Sequence, residues 1–270
     1  SNAVAVRTHT QPGDEIIAEE HSHLYVYEGG GYAALSGCSI ALVPSEHGIV
    51  APVDVRNRIR KAEGSRSHYP NASLICIENT SNRGGGTIYP MEVLKEISEI
   101  SREYDCRMHM DGARLFNAVV ATGISASNMV EGFDSVSVCL SKGLGAPVGS
   151  VLVGSKNFIE QAHRWRKLFG GGMRQAGILA EAGIYALDYN LPRLAADHLR
   201  AKKLAQGIEP LEGLTVCLDE VQTNMVYVMT KGSADEWQTK LSEKGILCFA
   251  INENTLRMVT HLHINDRHIE

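Results

Sequence analysis

The stretch DSVSVCLSKGLGAPVGSVLVG, Asp134–Gly154, decides how the rest of the chain is read. Val136, Val138 and Leu140 alternate with serine and cysteine, the period of a half-buried strand. Ser141-Lys142 follows at once, then Gly143-Leu144-Gly145-Ala146-Pro147, then a second strand-like run at Ser150–Val153. The spacing holds a lysine at a strand end with glycines beside it. Glycines leave open space on the amine side, and a partly desolvated amine is a nucleophile toward an aldehyde at neutral pH. A surface lysine in a plain strand-loop-strand connection has the same local pattern, so the remainder of the chain must decide between the two.

Composition narrows the class. The chain has 270 residues, 44% hydrophobic and 21% charged, enough to bury a sizeable core in one large domain or in one domain with a smaller partner. A net charge of −5, with basic residues interleaved among acidic ones, argues against a nucleic-acid or anionic-membrane surface. Six cysteines (Cys38, Cys76, Cys106, Cys139, Cys217 and Cys248) are scattered without CxxC pairing and read as reduced core residues. No metal-ligand set is singled out. No apolar run approaches membrane-spanning length and no charged-then-apolar leader opens the chain, so a cytoplasmic address is expected.

Strand-like and helix-like segments alternate. Glu15–Ala18 is a strand after the turn Gln11-Pro12-Gly13-Asp14, Leu24–Leu35 suits a helix ending near Gly37, and Ile40–Val43 is again a strand. Val53–Lys61 has a basic polar face. Leu74–Ile77 is a buried strand, Pro90 opens a helix over Met91–Tyr104, Cys106–Met110 is a strand, and Arg114–Ala121 a helix. Repeated units of this kind predict an α/β fold with a largely parallel, doubly wound sheet. Helices are then expected at Phe158–Leu168, Met173–Asp188 and Leu191–Gln206. Strands at Leu214–Leu218, Met225–Met229, Ile246–Phe249 and Leu256–Val259 surround a helix at Ala234–Lys244, a smaller α/β unit. The division is a large domain over 1–190 and a small one over 191–270. Val4–Arg7 reads as the middle of a helix with no cap before it, and Asn265-Asp266-Arg267 would start a helix just before the last residue, so segments at both ends are expected to be missing.

Ligands of a doubly wound sheet sit beyond the carboxyl ends of its strands. Three polar strand ends stand out: Glu78-Asn79-Thr80-Ser81-Asn82, Asp111-Gly112-Ala113-Arg114 and Ser141-Lys142. A carboxylate such as Asp111 at the inner end of an apolar strand is either solvated at the rim or paired with a cation, and a protonated pyridine nitrogen is such a cation.

Four segments together closely resemble the low-specificity L-threonine aldolases, which are pyridoxal-phosphate enzymes of fold type I. They are His109-Met-Asp-Gly-Ala-Arg-Leu-Phe-Asn-Ala118, Cys139-Leu-Ser-Lys-Gly-Leu-Gly-Ala-Pro-Val-Gly-Ser150, Gly170-Gly-Gly-Met-Arg-Gln175 and Leu256-Arg-Met-Val-Thr-His261. The resemblance extends from about Thr8 to His261, with the motifs in the family's order.

The resemblance implies pyridoxal 5'-phosphate held covalently by Lys142, which returns as a base after substrate amine displaces it, and Asp111 paired with the ring nitrogen. His23 would stack on the ring and help move protons, while His21 is read as a surface residue. Arg257 would bind the substrate carboxylate, Arg114 would sit by the cofactor hydroxyl and the same carboxylate, and Arg174 would belong to the phosphate region, at the start of a helix, in its own or a neighbouring subunit. Arg164 and Arg166 read as a solvated helix face, with Lys167 a further phosphate-side candidate. The family usually assembles as a tetramer with sites at dimer interfaces, so a homo-oligomer is expected. The implied reaction is retro-aldol cleavage of L-threonine or L-allo-threonine to glycine and an aldehyde.

The pattern departs from the family in two places. Its strand end usually reads Glu-Asn-Thr-His-Asn, whereas here Ser81 replaces the histidine near the substrate's β-hydroxyl; serine can hydrogen-bond there but cannot act as a base near neutrality. The front segment, which in the family supplies a Gly-Thr turn for the phosphate and a serine near the substrate, is expected to be missing. Two rival readings stay open at this point. One is another fold type I reaction on amino acids, such as β-elimination, racemisation or transamination. The other is a non-catalytic nucleotide-binding module, which the glycine spacing fits poorly because neither GxxxxGK[ST] nor GxGxxG is present.

Overall fold

The computed structural model describes residues 1–65 and 68–270. A six-stranded sheet organises the first part of the chain. Its strands are β1 (Asp14–Glu19) and β2 (Ser39–Val43), then, after a hairpin of β3 (Ser45–Glu46) and β4 (Ile49–Val50), β5 (Asn71–Glu78), β6 (Arg107–Asp111), β7 (Ser135–Cys139) and β8 (Ser150–Gly154). The spatial order is β2-β1-β5-β6-β7-β8, parallel throughout except for the antiparallel β7–β8 pair. The chain winds one way from β1 to β2 and the other way from β5 to β7. The switch between β1 and β5 opens a crevice at their carboxyl ends, where such sheets place their ligands.

The helices around the sheet follow from the sequence pattern. Helix α1 (Asn2–His9) leads into β1; α2 (His23–Val26) and α3 (Gly31–Ala34) lie between β1 and β2, and α4 (Pro52–Arg58) precedes β5. Helix α5 (Met91–Glu103) buries Leu94, Ile97, Ser98 and Ser101, spaced by three and four residues, and exposes Glu92, Lys95, Glu96 and Glu99. Its burial joins a core built on Ile75, Met108 and Met110. Helix α6 (Leu115–Thr122) follows β6 and ends on Gly123 at φ +73, a left-handed C-cap that only glycine takes without strain; α7 (Ala126–Met129) is a single turn. Helices α8 (Lys156–Leu168), α9 (Gly177–Tyr185) and α10 (Leu194–Ile208) lead to an antiparallel sheet of β9 (Leu214–Thr215), β10 (Met225–Thr230), β11 (Phe249–Asn252) and β12 (Thr255–Val259), with α11 (Ala234–Glu243) beside it. Among the described residues no helix is long and apolar enough to cross a membrane.

Several expected elements differ. The helix expected at Leu24–Leu35 is two short helices, broken at Gly29 and Gly30 with φ of +60 and +71. The helix expected from Met173 starts only at Gly177, because Gly170 (φ +86) and Gln175 (φ +50) are left-handed, and it runs into a wide helical turn at Ala186–Asn190. The strand expected at Ile246–Phe249 begins at Phe249 and runs to Asn252, and the strand from Leu214 lasts two residues before a short 3-10 turn at Leu218–Glu220. All six cysteines are free thiols, but only Cys38, Cys76 and Cys106 are buried; Cys217 is exposed.

Met108 is fully buried in β6, the strand that ends in Asp111. Met108→Ala is expected to lower unfolding free energy by ~2–5 kcal/mol. Urea titration checks this, with the midpoint falling at unchanged slope.

Candidate active site

Each strand that borders the crevice delivers a functional group at its carboxyl end. His23 opens α2 just after β1, Glu78 ends β5, Asp111 ends β6, and Lys142 follows β7. His23, Glu78, Asn82, Arg114, Lys142 and Arg257 line one cavity of about 460 Å³. Arg114, Lys142 and Arg257 also line a neighbouring cavity of about 770 Å³ that reaches toward Leu247, Phe249 and Leu262. A lysine, three guanidinium groups (Arg83, Arg114 and Arg257), an imidazole and a carboxyl group thus share one open cleft.

Glu78 is the joint of this site. Its two carboxylate oxygens accept the backbone N–H of His23 (2.7 Å) and of Asn82 (2.8 Å). The Asn82 side-chain oxygen in turn accepts from Arg257 Nη1 at 2.8 Å, and the Asn82 carbonyl accepts from the Tyr227 hydroxyl at 2.6 Å. One buried carboxyl therefore ties the histidine on β1's side to the arginine that comes from β12. Burial pushes the Glu78 carboxyl well above the usual range, and the charge of Asp111 adds to the rise.

Asp111 is buried, 6% exposed, with Oδ1 accepting the Ala113 N–H (3.1 Å) and Oδ2 accepting from Asn2 Nδ2 (2.7 Å). Glu28 lies beside it, taking the other Asn2 amide hydrogen at 2.8 Å and facing His23 Nδ1 at 3.3 Å. That contact with Glu28 raises His23 above its ordinary pKa, against an opposing effect of burial. Burial would raise Glu28, but the hydrogen bonds from His23 and Asn2 outweigh it and hold Glu28 below the usual carboxyl range. Burial also pulls the Arg114 guanidinium below its ordinary value, with Glu78 opposing; it remains a cation throughout the working range.

The Lys142 loop is fixed from behind. Gly145 N–H donates to the Lys142 carbonyl (2.9 Å) and Ala146 N–H to Leu140 (3.0 Å). Arg193 Nη2 donates to the Gly143 carbonyl at 3.0 Å while Nη1 and Nη2 grip the fully buried Asp197 at 2.9 and 3.0 Å, and Asn190 Nδ2 donates to the Leu144 carbonyl at 2.7 Å. A Cβ at Gly143 would lie 2.8 Å from Leu194, so this loop lies close against α10.

Three expected site residues line neither cavity: Asp111 lies behind Ala113 of the first cavity's lining, and Ser81 and Arg174 lie elsewhere. Ser81 is buried, its Oγ accepts the Gly84 N–H at 3.1 Å, and a Cβ on Gly48 would stand 2.0 Å from that oxygen. It faces the β3–β4 hairpin and lines neither cavity, and an imidazole in that orientation would overpack against the hairpin. Arg174 is exposed in the non-helical segment before α9, outside both cavities, so it does not start a helix as expected. His21 is exposed, as expected for a surface residue. Sequence reading marked Glu78 and Asn82 only as part of a polar strand end, without a role, and missed Glu28, Asn2 and the Arg193–Asp197 pair. The i,i+4 spacing of the last pair was the available signal; for the others partners far apart in sequence decide the role.

The donor set fits pyridoxal phosphate. Lys142 offers an amine for its aldehyde, Asp111 a buried anion for its protonated ring nitrogen, and His23 a flat ring at the mouth. Arg257 Nε is buried without a hydrogen-bond partner, the condition of a guanidinium that awaits a carboxylate.

The comparisons agree with this geometry. A family model described as beta-eliminating lyase matches residues 1–231. Low-specificity L-threonine aldolase 1 of Arabidopsis thaliana is 42% identical over 269 residues, covering 97% of this chain and 75% of the relative. The low specificity L-threonine aldolase of Escherichia coli (strain K12) is 39% identical over 267 residues, covering 98% and 77%. The solved threonine aldolase of Leishmania major shares the fold, with a TM-score of 0.81 at 19% identity over 99% of this chain and 78% of that one.

Replacing Glu28 by Gln removes the anion that holds the His23 proton. The pH titration of the His23 ring followed by NMR is expected to show a midpoint moved to lower pH in Glu28→Gln. In the unaltered protein the His23–Glu28 pair stabilises the fold fully below the unfolded-state histidine pKa. This contribution is lost as pH rises through the raised folded value.

Proposed function

The chain belongs to the beta-eliminating lyase family, and from that premise we propose that it is a fold type I pyridoxal-phosphate lyase that cleaves L-threonine and L-allo-threonine to glycine and acetaldehyde. The observation that carries the reading is the convergence of Lys142, Arg114 and Arg257 on one cavity, with the buried Asp111 hydrogen-bonded to Ala113 of its lining.

Pyridoxal phosphate, when bound, supplies an aldehyde that captures amino groups and a protonated ring that draws electrons from the substrate Cα. The chain's residues do the rest. Asp111, whose oxygens accept from Asn2 and Ala113, would pair with the protonated ring nitrogen. Lys142 anchors the cofactor and afterwards moves the proton at Cα. Arg257, braced by Asn82, and the desolvated Arg114 would hold the substrate carboxylate and so orient the substrate for cleavage of Cα–Cβ. His23 would take the β-hydroxyl proton as the aldehyde leaves, with Glu28 beside its Nδ1 to steady the resulting imidazolium. Cα regains a proton, so substrate and products balance as threonine to glycine plus aldehyde.

Finer readings follow the same proposal. The large cofactor-binding part spans 1–190 and the smaller part 191–270, which brings Arg257 to the site. The protein works as a homo-oligomer: Ile178, Ile184, Tyr185 and Tyr189 on and after α9 are exposed apolar side chains, and Arg174 stands on the same surface segment, placed to serve a neighbouring subunit's phosphate region. Six unpaired cysteines suit a reducing, cytoplasmic compartment.

The test is aldehyde release from L-threonine and L-allo-threonine, coupled to alcohol dehydrogenase. Glycine and aldehyde are expected in equal amounts. Lys142→Ala is expected to lower the rate by about 10²–10⁴-fold. Arg257→Ala is expected to raise KM by about tenfold or more, the loss of a charge-assisted contact to the carboxylate. Pyruvate release or transfer to a keto acid without aldehyde would reject the aldolase reading.

A further inference from the structure

We propose that Asn2 and His109 are positioning residues for Asp111. A one-way chain of buried hydrogen bonds, running His9, Ser135, His109, Asn2, locks the Asn2 amide as a double donor to Asp111 and Glu28. The proposal deepens the cofactor assignment above and rests on it.

The strand register assembles this chain. His109 and Asp111 are two residues apart on β6 and so project from the same face of the sheet, and His109 pairs in register with Ser135 of β7. Helix α1 packs over that face and contributes both Asn2, at its first turn, and His9, at its last. Asn2 is 7% exposed, Ser135 1% and His109 0%.

Charge fixes the direction of every link. The two hydrogens on Asn2 Nδ2 go to Glu28 Oε1 (2.8 Å) and Asp111 Oδ2 (2.7 Å). A flipped amide would aim its carbonyl oxygen at two carboxyl groups, so the observed orientation is the favourable one. Asn2 Oδ1 is then the acceptor toward His109 Nε2, 3.1 Å away, and that nitrogen must bear hydrogen. Burial pulls the His109 pKa down to about 3, so the ring is neutral and holds a single proton. Its Nδ1 is therefore bare and accepts from Ser135 Oγ at 2.8 Å. Ser135 Oγ has spent its proton and accepts from His9 Nε2 at 2.7 Å. His9 is neutral as well, burial pulling it down to about 4, and its ring stacks on Phe158 with centroids 4.4 Å apart.

The chain orients and does not conduct. An amide cannot pass a proton from one end to the other at a useful rate, so Asn2 ends any relay. What reaches Asp111 is a fixed N–H on Oδ2, which together with the Ala113 N–H on Oδ1 sets the plane of the carboxylate that would meet the ring nitrogen. The same amide hydrogen-bonds Glu28, so the carboxyl beneath the cofactor and the one that supports His23 share a single brace. Removal of the His109 donor leaves Asn2 Oδ1 buried without a partner and frees the amide to turn.

His109→Gln, His109→Leu and Ser135→Ala separate this role from simple filling of the core. Gln carries an N–H the same number of bonds from Cα as His109 Nε2, whereas Leu fills the space with no donor. Equilibrium dialysis of the full chain against pyridoxal phosphate is expected to give Gln near the unaltered affinity. Leu is expected to be about 10–100-fold weaker, the cost of one hydrogen bond acting on a charged group. The visible absorption band of the bound cofactor is expected to move in Leu and not in Gln. Histidine-selective nitrogen NMR of the unaltered protein is expected to show His109 as the Nε2–H tautomer across the neutral range.

Unchanged affinity and spectrum in His109→Leu would overturn the proposal, as would an Nδ1–H tautomer. If His109→Leu fails to fold, Ser135→Ala decides: mixed tautomers at His109 with weaker cofactor binding support the chain, and unchanged binding refutes it. Failure of the unaltered protein to bind pyridoxal phosphate would instead refute the functional reading, while the tautomer measurement would still test the hydrogen-bond chain.

Discussion

The carboxyl ends of β1, β5, β6 and β7 emerge side by side at one edge of a parallel sheet, and every functional group of this protein depends on that common direction. Each strand contributes one polar residue at the point where it leaves the sheet. Neighbouring strands lie only about 5 Å apart, so groups far apart in sequence become near neighbours without any long reach. The reversal of winding between β1 and β5 leaves the crevice open on one side, and the small antiparallel sheet closes it by bringing Arg257 over the edge.

Bringing these groups together in a partly dry space has an electrostatic cost, and the site distributes it. Glu78 resists ionisation because of its burial and because Asp111 is already charged. Arg114 bears a desolvation penalty that nearby Glu78 offsets. An amino-acid substrate carboxylate would give the buried Arg257 Nε an acceptor and a pyridinium would give Asp111 a cation, so binding would offset part of the cost of burying these groups. A positional brace lies behind each reacting group: Arg193 and Asp197 behind the Lys142 loop, Glu78 behind His23 and Asn82, and Asn2 behind Asp111.

Much of this was legible in the chain itself. A continuous apolar run marked β5 and alternation of apolar residues marked β6 and β7, and the polar residue after each run marked where a ligand would sit, which singled out Asp111 and Lys142 from the sequence alone. Interactions decided by distant partners were not legible. The clamp on the lysine loop joins Gly143 to Arg193, and the brace on Asp111 joins it to Asn2 at a separation of 109 residues. Where Ser81 points was not legible, because the direction of a side chain after a strand end depends on what packs there, here the glycine hairpin at Gly48. Arg174 was assigned to a helix start from its glycines, yet the left-handed backbone at Gly170 and Gln175 delays the helix to Gly177. The double glycine at Gly29 and Gly30 likewise splits a segment whose apolar pattern alone suggests one helix.

Reductive trapping addresses the central claim most directly. Purified protein loaded with pyridoxal phosphate, reduced with borohydride, digested and analysed by mass spectrometry should carry the pyridoxyl group on Lys142, stoichiometrically and with loss of the visible absorption band. Labelling of a different lysine, or of none while the protein remains folded and exposed to the cofactor, would contradict the account, because the strand-end geometry that organises the site would then not be the geometry that holds its cofactor.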